Sequence, residues 1–150
     1  ETEKKAIDKA IDTIDSLSGS LAARFDGVEQ SISQLLGLIS DGRYTEAKLD
    51  DDMHVAVKKD GHFFRAEFLG NDVVRQVYLA VRLAVAKILN DEKMPLLLDN
   101  VVDVTDESQL TGVLKAISIV DTEQVILLTS DKTLMKKLED MHITCNVVTL

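Results

Sequence analysis

Tryptophan is absent from this sequence of 150 residues, and cysteine and proline occur once each, as Cys145 and Pro95. A lone cysteine excludes an internal disulfide and any cysteine-rich zinc site, which fits a reducing compartment and an expected cytoplasmic location. Aromatics make up 4% of the chain, so aliphatic packing has to carry the core. No apolar run approaches the roughly 18 residues of a membrane span and no signal peptide is visible, so no membrane contact is expected. Basic residues are outnumbered 17 to 26, for a formal charge of −9. Gripping a phosphate backbone needs concentrated Lys and Arg, so direct nucleic-acid contact is not expected of this chain. The histidines, His54, His62 and His142, show no ligand spacing. The acidic run Asp50–Asp52 reads as a solvated hairpin turn rather than a cation site.

What the chain does have is length for one core and two kinds of periodicity. Ile7, Ile14, Leu21, Val28 and Leu35 fall on a strict heptad, with Ile11, Phe25, Ile32 and Ile39 at its second position and Ser18 as the lapse. Such a seam predicts a coiled-coil-like helix over residues 1–39, although Gly19 and Gly27 weaken it by about 1 kcal/mol each relative to alanine. The chain opens inside this helical pattern without a methionine, and a longer parent protein is expected. "SDGRY" at 40–44 ends the helix, with Gly42 as the stop.

Residues 40–150 read as an α/β lobe. The runs "YTEAKLD", "HVAVKK" and "HFFRAEF", split by "DDDM" and "KDGH", predict a small antiparallel meander. "DVVRQVYLAVRLAVAKILN" from Asp72 is a helix whose Val73, Val77, Ala80, Val81, Ala84 and Ile88 share one face, with Arg75 and Arg82 on its exposed side. Then "PLLLD" and "QVILLT" are buried strands, Glu107–Ile119 and Lys132–Met141 are helices, and "TCNVVTL" closes as a strand with Cys145 and Val147 facing the core. Strands alternating with helices imply a mostly parallel sheet covered on both faces.

The order of "GRY", "RQVYLAVRLAVA", "PLLLD", "DESQL" and "QVILLTSD" resembles the C-terminal lobe of the ATPase head in SMC-like proteins, closest to the YhaN-type branch. That resemblance implies an ABC-type, P-loop NTPase fold. It also implies ATP and Mg as cofactors in the complete protein, with an N-terminal ATPase lobe or a second head as partner. The lobe carrying Walker A would lie elsewhere, because no G-x-x-x-x-G-K followed by Ser or Thr occurs here, and no cofactor is expected on this chain alone.

Carried over residue by residue, the resemblance places Asp99 at the magnesium-associated aspartate of Walker B and Asn100 at the catalytic acid. A carboxamide orients water but cannot take its proton near neutral pH. Anchoring on Gln76–Val77–Tyr78 puts Gly70, Asn71 and Asp72 over the signature motif, with Gly70 in place of its Ser and Asp72 in place of its Gly. An Asp72 carboxylate capping the helix N-terminus would occupy the place a phosphate needs. Asp131 stands for the switch His, or Ser130 if the alignment slips by one, and Asp106 matches the D-loop aspartate while also suiting a helix N-cap. All three departures serve the same γ-phosphate, so the resemblance implies a degenerate head acting in dimerisation or assembly, with self-association through the heptad helix. One alternative is an active half-head linked to DNA repair or defence, using another acid such as Asp103. A second is a coiled-coil interaction protein without nucleotide.

Overall fold

A computed structural model of the chain describes residues 7, 9, 11–17, 26–50, 52–89, 93–100 and 107–149. It is an α/β structure. Residues 11–17 are helical, with Ile7, Ile11, Ile14 and Leu17 all exposed. Helix α1, Val28–Ile39, begins afresh after Gly27, whose φ of 79° lies in the left-handed region. A residue at that φ cannot continue a right-handed helix, so a single unbroken helix through residue 39 does not form. Beyond Gly27 the heptad positions Ile32, Leu35 and Ile39 are buried with Leu36 in the core, and α1 belongs to the lobe. It ends as "SDGRY" predicts: Gly42, at φ 76°, donates its N–H to the Gly37 carbonyl at 2.8 Å, closing a Schellman-type turn.

The meander is formed by β1 (Ala47–Leu49), β2 (Val55–Lys59) and β3 (His62–Arg65), antiparallel in that order. Asp60 and Gly61, at φ 51° and 81°, make the two-residue turn that pairs Lys59 with His62. The outer edge of β1 is closed by α1: the Ala47 N–H donates to Ser33 Oγ at 2.9 Å and the Leu49 N–H to Glu29 Oε1 at 2.6 Å. The third expected strand is shorter than its sequence run, because Ala66–Phe68 turns into a 3-10 helix that buries Ala66.

Met53 sits in the β1–β2 turn at φ 64°, with its side chain 72% exposed. A left-handed conformation costs a residue with a Cβ about 1–2 kcal/mol, and this methionine gains no packing in return. Met53→Gly is therefore expected to raise stability by about 0.5–1 kcal/mol, read from the urea midpoint at unchanged m-value.

Helix α2, Asn71–Leu89, packs on α1, burying Val73, Val77, Leu79, Ala80, Leu83 and Ala84. The expected face was right in direction, but Leu79 and Leu83 belong to it while Val81 and Ile88 are only half-buried. Strand β4 (Leu96–Asp99), helix α3 (Glu107–Ile119), strand β5 (Val125–Leu128) and helix α4 (Leu134–Asp140) follow. β4 and β5 pair in parallel with Leu98 opposite Leu127 and Asp99 opposite Leu128. Leu98 is fully buried, and Leu96 and Leu127 pack against the same core.

Two expectations about this sheet are corrected. It was expected to be covered on both faces, yet its outer face carries Leu97, Ile126 and Leu128 at 54%, 39% and 42% exposure, with nothing described lying over them. The closing strand is also not formed: residues 143–149 are unpaired and exposed, Cys145 included, since a strand needs a bonded neighbour and none is in place. No helix among the described residues is long and apolar enough to cross a membrane.

Candidate functional site

Parallel pairing decides what lies near what. Because β4 and β5 run the same way, their C-terminal ends share one edge, and it is at this edge that parallel α/β sheets place ligand-binding loops. Asp99 is the last residue of β4 and is exposed there. Asn100 follows at φ 51°, donating its N–H to the Leu128 carbonyl at 3.0 Å. Asparagine tolerates left-handed φ better than most residues, so Asn100 suits the turn that ends the strand as well as standing where an acid is expected. Asp131 lies three residues past the end of β5, so the expected pair and the expected switch position do come to one edge.

Asp131 is already engaged. Its Oδ1 accepts from the Thr133 N–H at 2.8 Å and from Thr133 Oγ1 at 2.7 Å, and its Oδ2 lies 3.4 Å from Lys137 Nζ. Its own N–H donates to Thr129 Oγ1 at 3.0 Å. The Thr133 hydrogen bonds, followed by the Lys137 ammonium, hold its carboxyl below the ordinary aspartate value of 3.8. This is the chemistry of a helix entry, with a carboxylate bonding free N–H groups before α4. The string Asp131-Lys132-Thr133 ahead of an apolar helix carries that signal in the sequence, and a reading focused on the switch position passes over it.

The signature region differs from its expectation in one respect. Helix α2 starts at Asn71, so its N-cap is Gly70, at φ 108°, whose carbonyl accepts the Val73 and Val74 N–H groups, both at 3.1 Å. Asp72 is inside the first turn and exposed, where its charge favours the helix dipole without capping by side chain. Among the described residues, no hydrogen bond or ion pair joins Gly70, Asn71 or Asp72 to Asp99, Asn100 or Asp131. Asp106 and Asp103 lie outside the described residues. On the exposed side of α2, Arg82 stacks over the Tyr78 ring with its guanidinium carbon 5.6 Å from the centroid.

Two other features are set apart from this edge. Asp50, Asp52 and His54 place ligand atoms within 4.8 Å of one another. The Asp50 carboxylate is spent on structure, however. It accepts the N–H groups of Asp52 at 3.1 Å and His54 at 2.8 Å, and Arg65 Nη2 at 2.7 Å ties it to β3. The His54 backbone hydrogen bond, with help from Arg65, holds the Asp50 carboxyl below its ordinary value. A surface cleft of about 320 Å³ lies between the end of α1 and α3, lined by Asp41, Gly42, Thr111 and Lys115 among others, and includes none of the expected site residues.

Asp50 and Asp131 both have folded-state values below their unfolded one. Their carboxylates therefore contribute stability above the ordinary value of 3.8, and it is lost as pH falls through the lowered folded-state values. Asp131→Asn is expected to lower the urea midpoint at neutral pH. The gap between variant and wild type should shrink below about pH 4, as the wild-type carboxyl takes up its proton.

Neither the known protein-family models nor the curated protein sequences yield a match to this chain.

Proposed function

We propose that this chain is the C-terminal lobe of an SMC-like, P-loop NTPase-type ATPase head whose γ-phosphate contacts have been lost, and that it works in dimerisation or assembly rather than efficient hydrolysis. The observation that carries the reading is the β4–α3–β5 unit. It brings Asp99, Asn100 and Asp131 to one sheet edge while leaving the sheet's outer face apolar and open. A parallel pair is stable when both faces are covered, so that outer face suits a further layer supplied by an N-terminal ATPase lobe or a second head. At the edge, Asn100 cannot act as a base, and the Asp131 carboxylate is bonded to Thr133 and would repel a phosphate. ATP with Mg would then bind only in the completed head, with Asp99 as the metal-associated carboxylate.

The exposed stripe Ile7, Ile11, Ile14 and Leu17 supports self-association through the helical segment. Sedimentation equilibrium separates the two surfaces. Deleting residues 1–25 spares α1, which the core needs, and is expected to abolish self-association of the chain. Association that survives the deletion and disappears on Leu97→Asp with Ile126→Asp would move assembly to the sheet. A monomer at every concentration in the undeleted chain would contradict self-association through either surface.

A further inference from the structure

The segment after α4 is unlike the rest of the molecule. Residues 143–149 contain no charged side chain in a protein that is 29% charged. Ile143, Cys145 and Val147 alternate with Thr144 and Asn146, the period of a strand with one buried face. All of these residues are exposed, and none is paired in a strand.

Two features show where such a strand would fit. The chain reverses cleanly after α4: the Ile143 N–H donates to the Leu138 carbonyl and the His142 N–H to the Glu139 carbonyl, each at 2.9 Å, with His142 at φ 58°. After that turn, a strand–helix–strand connection would cross right-handedly into a parallel neighbour of β5. Beside β5, a place is open. β4 takes one edge of β5 and no described strand takes the other. Val125 belongs to the inner face with Leu127, yet it is 42% exposed, whereas its partner Leu96 on the covered side is half-buried.

We propose that residues 143–149 are a latch strand that docks parallel to β5 at its free edge, with Ile143, Cys145 and Val147 turned inward over Val125. The arrangement described above is its open state. Closing makes the sheet three-stranded and withdraws the Cys145 thiol from solvent, so a bulky adduct on that sulfur holds the latch open.

Cys145 makes the equilibrium measurable. Its thiolate attacks the disulfide of dithiobis(nitrobenzoate), forming a mixed disulfide and releasing thionitrobenzoate, which is followed by absorbance. In an edge strand only alternate residues donate to the neighbour, and proline cannot donate. One of Asn146→Pro and Val147→Pro therefore disfavours closure, while the other is tolerated, in a segment exposed in the open state. With the open state at or below about a tenth of the population, wild type is expected to label at least about tenfold slower than the faster of the two variants. Circular dichroism checks that all three proteins fold alike. Equal rates in the three proteins, matching the urea-unfolded chain, would overturn the latch. Protection that grows with protein concentration would also overturn docking within one chain, in favour of exchange between copies.

Discussion

Gly112→Ala is expected to destabilise the lobe by about 3 kcal/mol or more, lowering Tm by roughly 10 °C. Glycine in the middle of a helix costs about 1 kcal/mol relative to alanine, so Gly112 in α3 needs a reason. The reason is the crossing of α1 over α3. A Cβ at Gly112 would collide with the Leu38 carbonyl oxygen, and would lie 3.0 Å from the Leu38 carbonyl carbon and 3.4 Å from Ile39 Cα. These are backbone atoms of a helix, which cannot swing aside as a side-chain end can. The two helices must separate, loosening a contact that buries Leu36, Ile39, Leu110 and Val113 nearby. Gly37 in α1 is the matched control: its added Cβ meets nothing closer than the Tyr44 carbonyl oxygen, at 3.9 Å. Gly37→Ala should raise stability by about 0.5–1 kcal/mol. Urea denaturation of both variants tests the crossing. Similar small effects in the two would mean that the helices do not approach closely at Gly112.

The second large effect belongs to β4. Leu98→Ala removes a fully buried side chain from the strand that presents Asp99, and should cost about 2–5 kcal/mol. Its neighbour Leu97 has the same chemistry and points to the open face. Leu97→Ala should change the stability of the chain by less than about 0.5 kcal/mol. A loss at Leu97 comparable with that at Leu98 would mean that the outer face is covered in solution. The pair thus reports both on the core and on the face left for a partner.

Local signals in the sequence were sufficient where one short stretch decides the outcome. The Asp60–Gly61 turn, the Gly42 stop, the α3 boundaries and the β4 and β5 runs all rest on neighbours within a few residues, and all appear as expected. What was hidden depends on distant packing. A heptad pattern runs through Gly27 without a break, but only the backbone shows that a left-handed residue there restarts the helix. The apolar run of β5 predicts burial, yet whether its second face is covered depends on a layer that the chain does not place there. "TCNVVTL" has strand alternation, but alternation specifies a face and not a neighbour. Gly112 gives no sign in sequence of the carbonyl that lies against it.

At the candidate site, what the sequence made legible was a shared sheet edge. Asp99, Asn100 and Asp131 reach one edge because parallel strands bring their C-terminal ends together, which the strand–helix–strand order already implied. The bonds of Asp131 to Thr133 and Lys137, and the left-handed φ of Asn100, were not argued from the sequence, and both give these residues structural work at their positions. They fit the proposed change of this edge from phosphate chemistry to turn and helix-entry chemistry.

Steady-state ATP hydrolysis by the full-length protein with Mg, compared with its Asp99→Ala variant, tests that claim most directly. If the proposed reading holds, the head lacks a general base and a switch histidine and should turn over slowly, with Asp99→Ala changing the rate little. Rapid turnover that vanishes in the variant would contradict the account.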